Sequence, residues 1–156
     1  MPRTIFLDTG VLSNCVVPIS ASPTLTLSEQ CRRWLIDCEH NGADILVPSI
    51  AYYETLREIE RRQAEIQRKR LVEYCFMAGR FIPVTTRHLE EAARLWAHAR
   101  LSGAPTANDA ALDGDMILCA QVLSLKLPDT DYIVATTNTK HLKLFVQADD
   151  WQNIQP

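Results

Sequence analysis

Four short apolar runs, set between long stretches of helical periodicity, restrict this chain to one kind of architecture. They are Thr4–Leu7, Ile45–Val47, Phe81–Val84 and Tyr132–Thr136, each bounded by turn or polar residues. Runs this short and this continuous read as buried strands. Leu27, Cys31, Trp34, Leu35 and Cys38 then recur at helix spacing, with Thr26 and Glu29 as a capping box and Gly42 closing the unit. Leu89, Ala92, Ala93, Trp96 and Ala99 form a second such face, with Thr86 as its expected N-cap and Gly103 beyond its end. Met116–Leu125 is a third, stopped by Pro128. Residues Ser49 to Ala78 lack Gly and Pro and read as helical throughout, as one bent helix or two. Buried strands alternating with helices predict an α/β fold with a mostly parallel sheet.

The chain has 156 residues, a formal charge of −3, and no internal repeat or low-complexity linker, so a single domain over 1–156 is expected. The acidic balance argues against a protein that coats nucleic acid through excess positive charge, and leaves a local basic patch open. No span reaches the roughly 18–20 apolar residues of a membrane helix. Asp8 interrupts the N-terminal apolar run where a signal peptide would continue, so export is not expected. Five cysteines without a Cys-x-x-Cys pair suit a reducing cytoplasm and make a zinc site improbable; several fall on apolar helix faces, where a thiol acts as a small hydrophobe.

Sites in parallel α/β sheets gather beyond the carboxyl ends of the strands, and that rule directs attention to four acids. Asp8 directly follows the first strand; it reads either as an N-cap or as a carboxylate that needs a cation or several donors. Glu54 lies six residues after Pro48; with Ser49 as N-cap it falls in the second turn of its helix, beside Tyr52, Tyr53 and Leu56. Arg57, Arg61, Arg62, Arg68, Lys69 and Arg70 follow it, mostly as a solvated face with i,i+4 ion pairs. Asp113 and Asp115 frame Gly114 ahead of Met116, and residues two apart on a helix differ by about 200° in direction. Asp113 is therefore expected to cap the helix and Asp115 to face a site from its first turn. Carboxylates that converge repel unless a cation lies between them, and oxygen-only donors select Mg²⁺ or Mn²⁺. Such a site suits phosphodiester hydrolysis.

With these residues in order, the chain resembles the PIN domain nucleases, and within them the VapC-type toxins of type II toxin–antitoxin pairs. The likeness is carried by Ile5-Phe6-Leu7-Asp8-Thr9, by Val47-Pro48-Ser49-Ile50 with Glu54, by Asp115 to Ala120, and by Tyr132 to Asn138. It implies a three-layer α/β/α sandwich and an Mg²⁺- or Mn²⁺-dependent endoribonuclease leaving 5′-phosphate and 3′-hydroxyl ends. It also implies a homodimer silenced by an antitoxin. Asp8, Glu54 and Asp115 would be the catalytic, metal-binding acids, and Asp113 an auxiliary one. Where the family usually has a fourth acid this chain has Asn138 and, three residues on, His141. Asn138 would offer a carbonyl oxygen to a metal, and Thr9, Thr136, Thr137, Arg57, Arg61 and His141 are expected around the substrate. Gly10 stands where the family often has Ser or Asn. The missing fourth acid also sustains an alternative, a catalytically degenerate PIN-like module that binds RNA or protein. Haloacid-dehalogenase and receiver readings fail, because the first wants an acid at Gly10 and the second an acid pair at the end of strand one.

Overall fold

In the computed structural model, which describes residues 2–156, the four apolar runs are strands and a fifth joins them. They are β1 (Thr4–Leu7), β2 (Asp44–Pro48), β3 (Phe81–Ile82), β4 (Tyr132–Thr136) and β5 (Ala148–Asp150). Their order is β3-β2-β1-β4-β5, with every neighbouring pair parallel. The helices are α1 (Thr9–Asn14), α2 (Leu27–His40), α3 (Ser49–Arg61), α4 (Glu65–Val72), α5 (Thr86–His98) and α6 (Asp109–Leu123).

Successive strand side chains point to opposite faces, so a sheet covered on both sides needs two cores. Ile5 and Leu7 pack with Val11, Leu35, Ile59 and Leu71, from α1 to α4. Phe6, between them in sequence, packs with Leu95, Leu118 and Val134, under α5 and α6. The expected three-layer α/β/α sandwich follows from that alternation.

Several boundaries differ from the sequence expectation, each for a local reason. Strand three stops at Ile82 instead of Val84, because Pro83 has no N–H for the ladder. The short, charged edge strand β5 carries two aspartates and no apolar run, so periodicity could not reveal it. Helix α5 is capped by Thr85, not Thr86: the Thr85 hydroxyl accepts from the His88 N–H at 3.3 Å, and His88 Nδ1 accepts from the Thr85 N–H at 3.1 Å. Helix α6 begins at Asp109 under an Asn108 cap, whose Oδ1 accepts from the N–H groups of Ala110 and Ala111. Asp113 is therefore no cap, and Asp115 belongs to the second turn. The long segment after β2 breaks into two helices at Gln63, which takes a left-handed φ of 53°. Two π-helical turns, Glu73–Met77 and Ala99–Gly103, extend α4 and α5. The capping box of α2 forms as expected. The irregular stretch before it is anchored at Val17, whose carbonyl accepts from Arg32 of α2 at 2.6 Å and Arg70 of α4 at 3.3 Å.

Helix α3 has Pro48, not Ser49, at its N-cap position, and Pro48 supplies no side-chain cap. The fully buried Gln121 of α6 serves instead. Its Nε2 donates to Ser49 Oγ at 3.0 Å and to the Ile82 carbonyl at 2.9 Å, and its Oε1 accepts from the Ile50 N–H at 3.4 Å. One side chain thus ties the start of α3, the end of β3 and the last turn of α6. Gln121→Leu leaves those partners unpaired, and urea unfolding should show a loss of about 2 kcal/mol.

Candidate active site

Strand order reverses between β1 and β4, since the chain passes from β1 outward to β2 and β3 and then returns to β1's other side. A crevice opens at the carboxyl ends of two such strands. Asp8 stands at the end of β1 on that crevice, and Thr136 at the end of β4. Asp8 Oδ2 accepts from the buried Thr136 hydroxyl at 2.6 Å, and its Oδ1 accepts from the Thr9 N–H at 2.7 Å. Asp8 is also the N-cap of α1, so both sequence readings of this residue hold at once.

Two helices bring the other acids. Glu54, in the second turn of α3, accepts at Oε1 from the Thr9 hydroxyl at 3.0 Å and pairs through Oε2 with Arg57 at 3.3 Å. Asp115 on α6 meets His141 Nδ1 at 2.7 Å through Oδ2. His141 is buried, and its Nε2 has no hydrogen-bond partner among the described residues.

Electrostatics tie the three carboxyls together. Burial raises the Asp8 pKa, against the hydrogen bonds from Thr136 and Thr9. Burial likewise raises Glu54, the Thr9 hydroxyl and Arg57 oppose the rise, and the charge of Asp8 adds to it. Asp115 is pushed up to about 6, first by burial, with the charges of Asp8 and Glu54 adding and His141 opposing. The donors are all hard oxygens, which fits Mg²⁺ or Mn²⁺ and not zinc. Among the described residues, no group of three or more Asp, Glu, His or Cys side chains is arranged so that it could hold a metal ion. Asp8, Glu54 and Asp115 form an acidic mouth in which the charge of one carboxyl reaches the next, and only the kind of donor, hard oxygen, fits a divalent ion such as Mg²⁺.

Beside Thr9 and Glu54 lies a cleft of about 290 Å³, lined also by Ser13, Arg57, Arg62 and Gln67. Of the residues singled out in the sequence, Asp8, Thr9, Glu54, Arg57, Asp115, Thr136 and His141 come together at this mouth. Asp113 does not: it is exposed and lines a groove between α5 and α6 with Leu89 and Trp96. That is the 200° offset at work, so its expected auxiliary metal role has no support in its position. Asn138 is exposed, and its Oδ1 accepts from the Lys140 N–H at 3.2 Å, closing its own loop. Arg61 pairs with Glu58 on the solvated face of α3. His141 is enclosed against Asp115 instead of open to a phosphate. Thr137 is exposed and sits over Gly10, where any Cβ would collide with its Oγ1. The basic run after Glu54, Arg62 included, is one the sequence offers for steering or holding an RNA backbone, and Arg62 lines this cleft. Sequence reasoning did not single out Gln67, because no spacing signal distinguishes it from the other polar residues of the α3–α4 segment. Nor did it single out Asp150, in register with Thr136, whose Oδ1 caps the turn after β5 by accepting from the Gln152 N–H at 2.9 Å.

The model of the family described as PIN domain matches residues 5–144. Among solved structures, FitAcB from Neisseria gonorrhoeae is 21% identical at a TM-score of 0.65, covering 96% of this chain and 99% of that one. VapBC2 from Rickettsia felis, bound to a DNA fragment from their promoter, is 13% identical at 0.66, covering 95% and 98%. VapBC-1 from nontypeable Haemophilus influenzae is 14% identical at 0.60, covering 96% and 99%. At these identities the likeness is one of fold. No curated protein sequence matches the chain significantly.

The raised Asp115 pKa has a consequence for the metal-free protein. A carboxyl whose folded pKa lies above its ordinary 3.8 favours folding fully below pH 3.8, and that advantage is lost as pH climbs through about 6. Asp115→Asn keeps an acceptor for His141 and removes the charge. In EDTA at pH 7.5 it should therefore be more stable than wild type by about 1–2 kcal/mol. The difference should fade below about pH 4, as read by urea unfolding across pH.

Proposed function

The chain belongs to the PIN domain family, and on that premise we propose that it is a metal-dependent endoribonuclease acting as the toxin of a toxin–antitoxin pair. The observation that carries this reading is the meeting of Asp8, Glu54 and Asp115 at the crevice between β1 and β4, each with a pKa raised by burial and two of the three raised further by a neighbouring acid. Asp8, Glu54 and Asp115 would hold Mg²⁺ or Mn²⁺, which when bound supplies an activated water and offsets charge on the phosphate.

The protein's own groups set the rest. Thr136 and the Thr9 N–H fix both oxygens of Asp8. The Thr9 hydroxyl orients Glu54, and His141 holds one oxygen of Asp115. Arg57 and Arg62 line the adjacent cleft, where their guanidinium groups suit an RNA phosphate despite the chain's acidic total. Asn138 and Asp113 take no part in this scheme, because one closes its own loop and the other faces away.

The structural neighbours named as VapBC and FitAcB support a protein partner, an antitoxin whose inhibitory segment crosses the acidic mouth and presents an Arg to it. A homodimer working in the cytoplasm completes the proposal. Among the described residues, no helix is long and apolar enough to cross a membrane.

A second reading, a PIN-like module that binds RNA or protein without cutting, is favoured by one observation: among the described residues no three acids, histidines or cysteines are arranged so that they could hold a metal ion. Incubating the protein with end-labelled RNA, in Mn²⁺ or in EDTA, decides between them. Cleavage should require Mn²⁺ and fall at least about 100-fold in Asp8→Asn, while Arg57→Ala should lower it more than Arg61→Ala. RNA that is retained intact at saturating protein and Mn²⁺ establishes the binding module.

A further inference from the structure

Glu54 and Asp115 reach the mouth on different helices, so their separation depends on how α3 and α6 meet. At the mouth they meet across Gly114. An ideal Cβ on Gly114 would stand 3.2 Å from Glu54 Oε1, 3.3 Å from Oε2 and 3.4 Å from Cδ. The two oxygen distances are tighter than ordinary van der Waals contact and the third stands at its edge, so the close approach spans the whole carboxylate. The carboxyl group of Glu54 therefore lies over the place where a side chain at 114 would begin.

The backbone does not require glycine there. Gly42 and Gly79 have positive φ among the glycines, and Gly114 does not. Inside a helix, glycine is less favourable than alanine. What the position needs is space. The neighbours leave little room to adjust, because Gln121 pins the first turn of α3 to α6, Thr9 holds Oε1 and Arg57 holds Oε2. A methyl group at 114 would require the carboxylate to give way by a few tenths of an ångström against those partners.

We propose that Gly114 is a positioning residue, whose missing side chain is the seat of the Glu54 carboxylate and sets its approach to Asp115. Its bearing on metal binding rests on the nuclease reading above; the seat itself does not. An ordinary helix glycine becomes more stable and no less functional when changed to alanine, whereas a seat gives effects of opposite sign.

The test uses the full chain and two readouts. In EDTA, Gly114→Ala should raise the melting temperature by about 2 °C in a Glu54→Ala background, and by clearly less when Glu54 is present. An equal rise in both backgrounds overturns the proposal. In a Mn²⁺ titration followed by the EPR signal of the free ion, Gly114→Ala should weaken binding about tenfold. It should cost nothing further in Glu54→Asp, whose shorter side chain clears the methyl. Undiminished Mn²⁺ affinity in Gly114→Ala overturns the seat as a determinant of the site. A wild-type protein that binds no Mn²⁺ but still shows the unequal temperature rise supports the seat and removes the nuclease reading.

Discussion

The hydrogen bond from the Thr136 hydroxyl to Asp8 Oδ2 joins the carboxyl ends of the two central strands, and the rest of the candidate site is arranged around it. It exists because β1 and β4 are parallel neighbours in register, Leu7 opposite Ala135, so the next residue of one strand meets the last residue of the other. That register depends in turn on two apolar runs buried on both faces. A slip of one residue would exchange the two cores and turn Asp8 away from Thr136. Sheet packing and site geometry are thus the same constraint seen at two scales.

Stability and chemistry pull against each other at this mouth. Each carboxyl is largely withdrawn from water, and the charge of Asp8 makes ionisation harder for Glu54 and Asp115, as that of Glu54 does for Asp115. The protein meets part of that cost with donors: Thr9 and Thr136 for Asp8, Thr9 and Arg57 for Glu54, His141 for Asp115.

What could be read from the amino-acid order follows a physical pattern. The central strands and α2 were legible because burial on both faces, or on one helical stripe, leaves an unbroken apolar signature. The pairing of Asp8 with Glu54 and Asp115 was legible only through strand ends and order along the chain. The start of α6 was not, since a run of alanines, aspartates and a leucine before Gly114 has no stripe to count, and the Asn108 cap carried no more weight than the later aspartates. β5 was hidden because an edge strand of Ala-Asp-Asp lacks the apolar content that marks its neighbours. His141 was misjudged for a different reason: a lone histidine in a polar loop gives no hint that the loop folds back onto a buried acid.

The staple at Val17 separates the support of one cleft wall from the support of the acids beside it. Val17 forms part of the cleft wall, yet the groups that grip its carbonyl come from α2 and α4, which contribute none of the three acids. Loosening Arg32 or Arg70 would reshape that wall and leave the carboxylates standing where they are. The shape of that wall and the placing of the carboxyls therefore hang on different parts of the polypeptide, and evolution can retune one without disturbing the other.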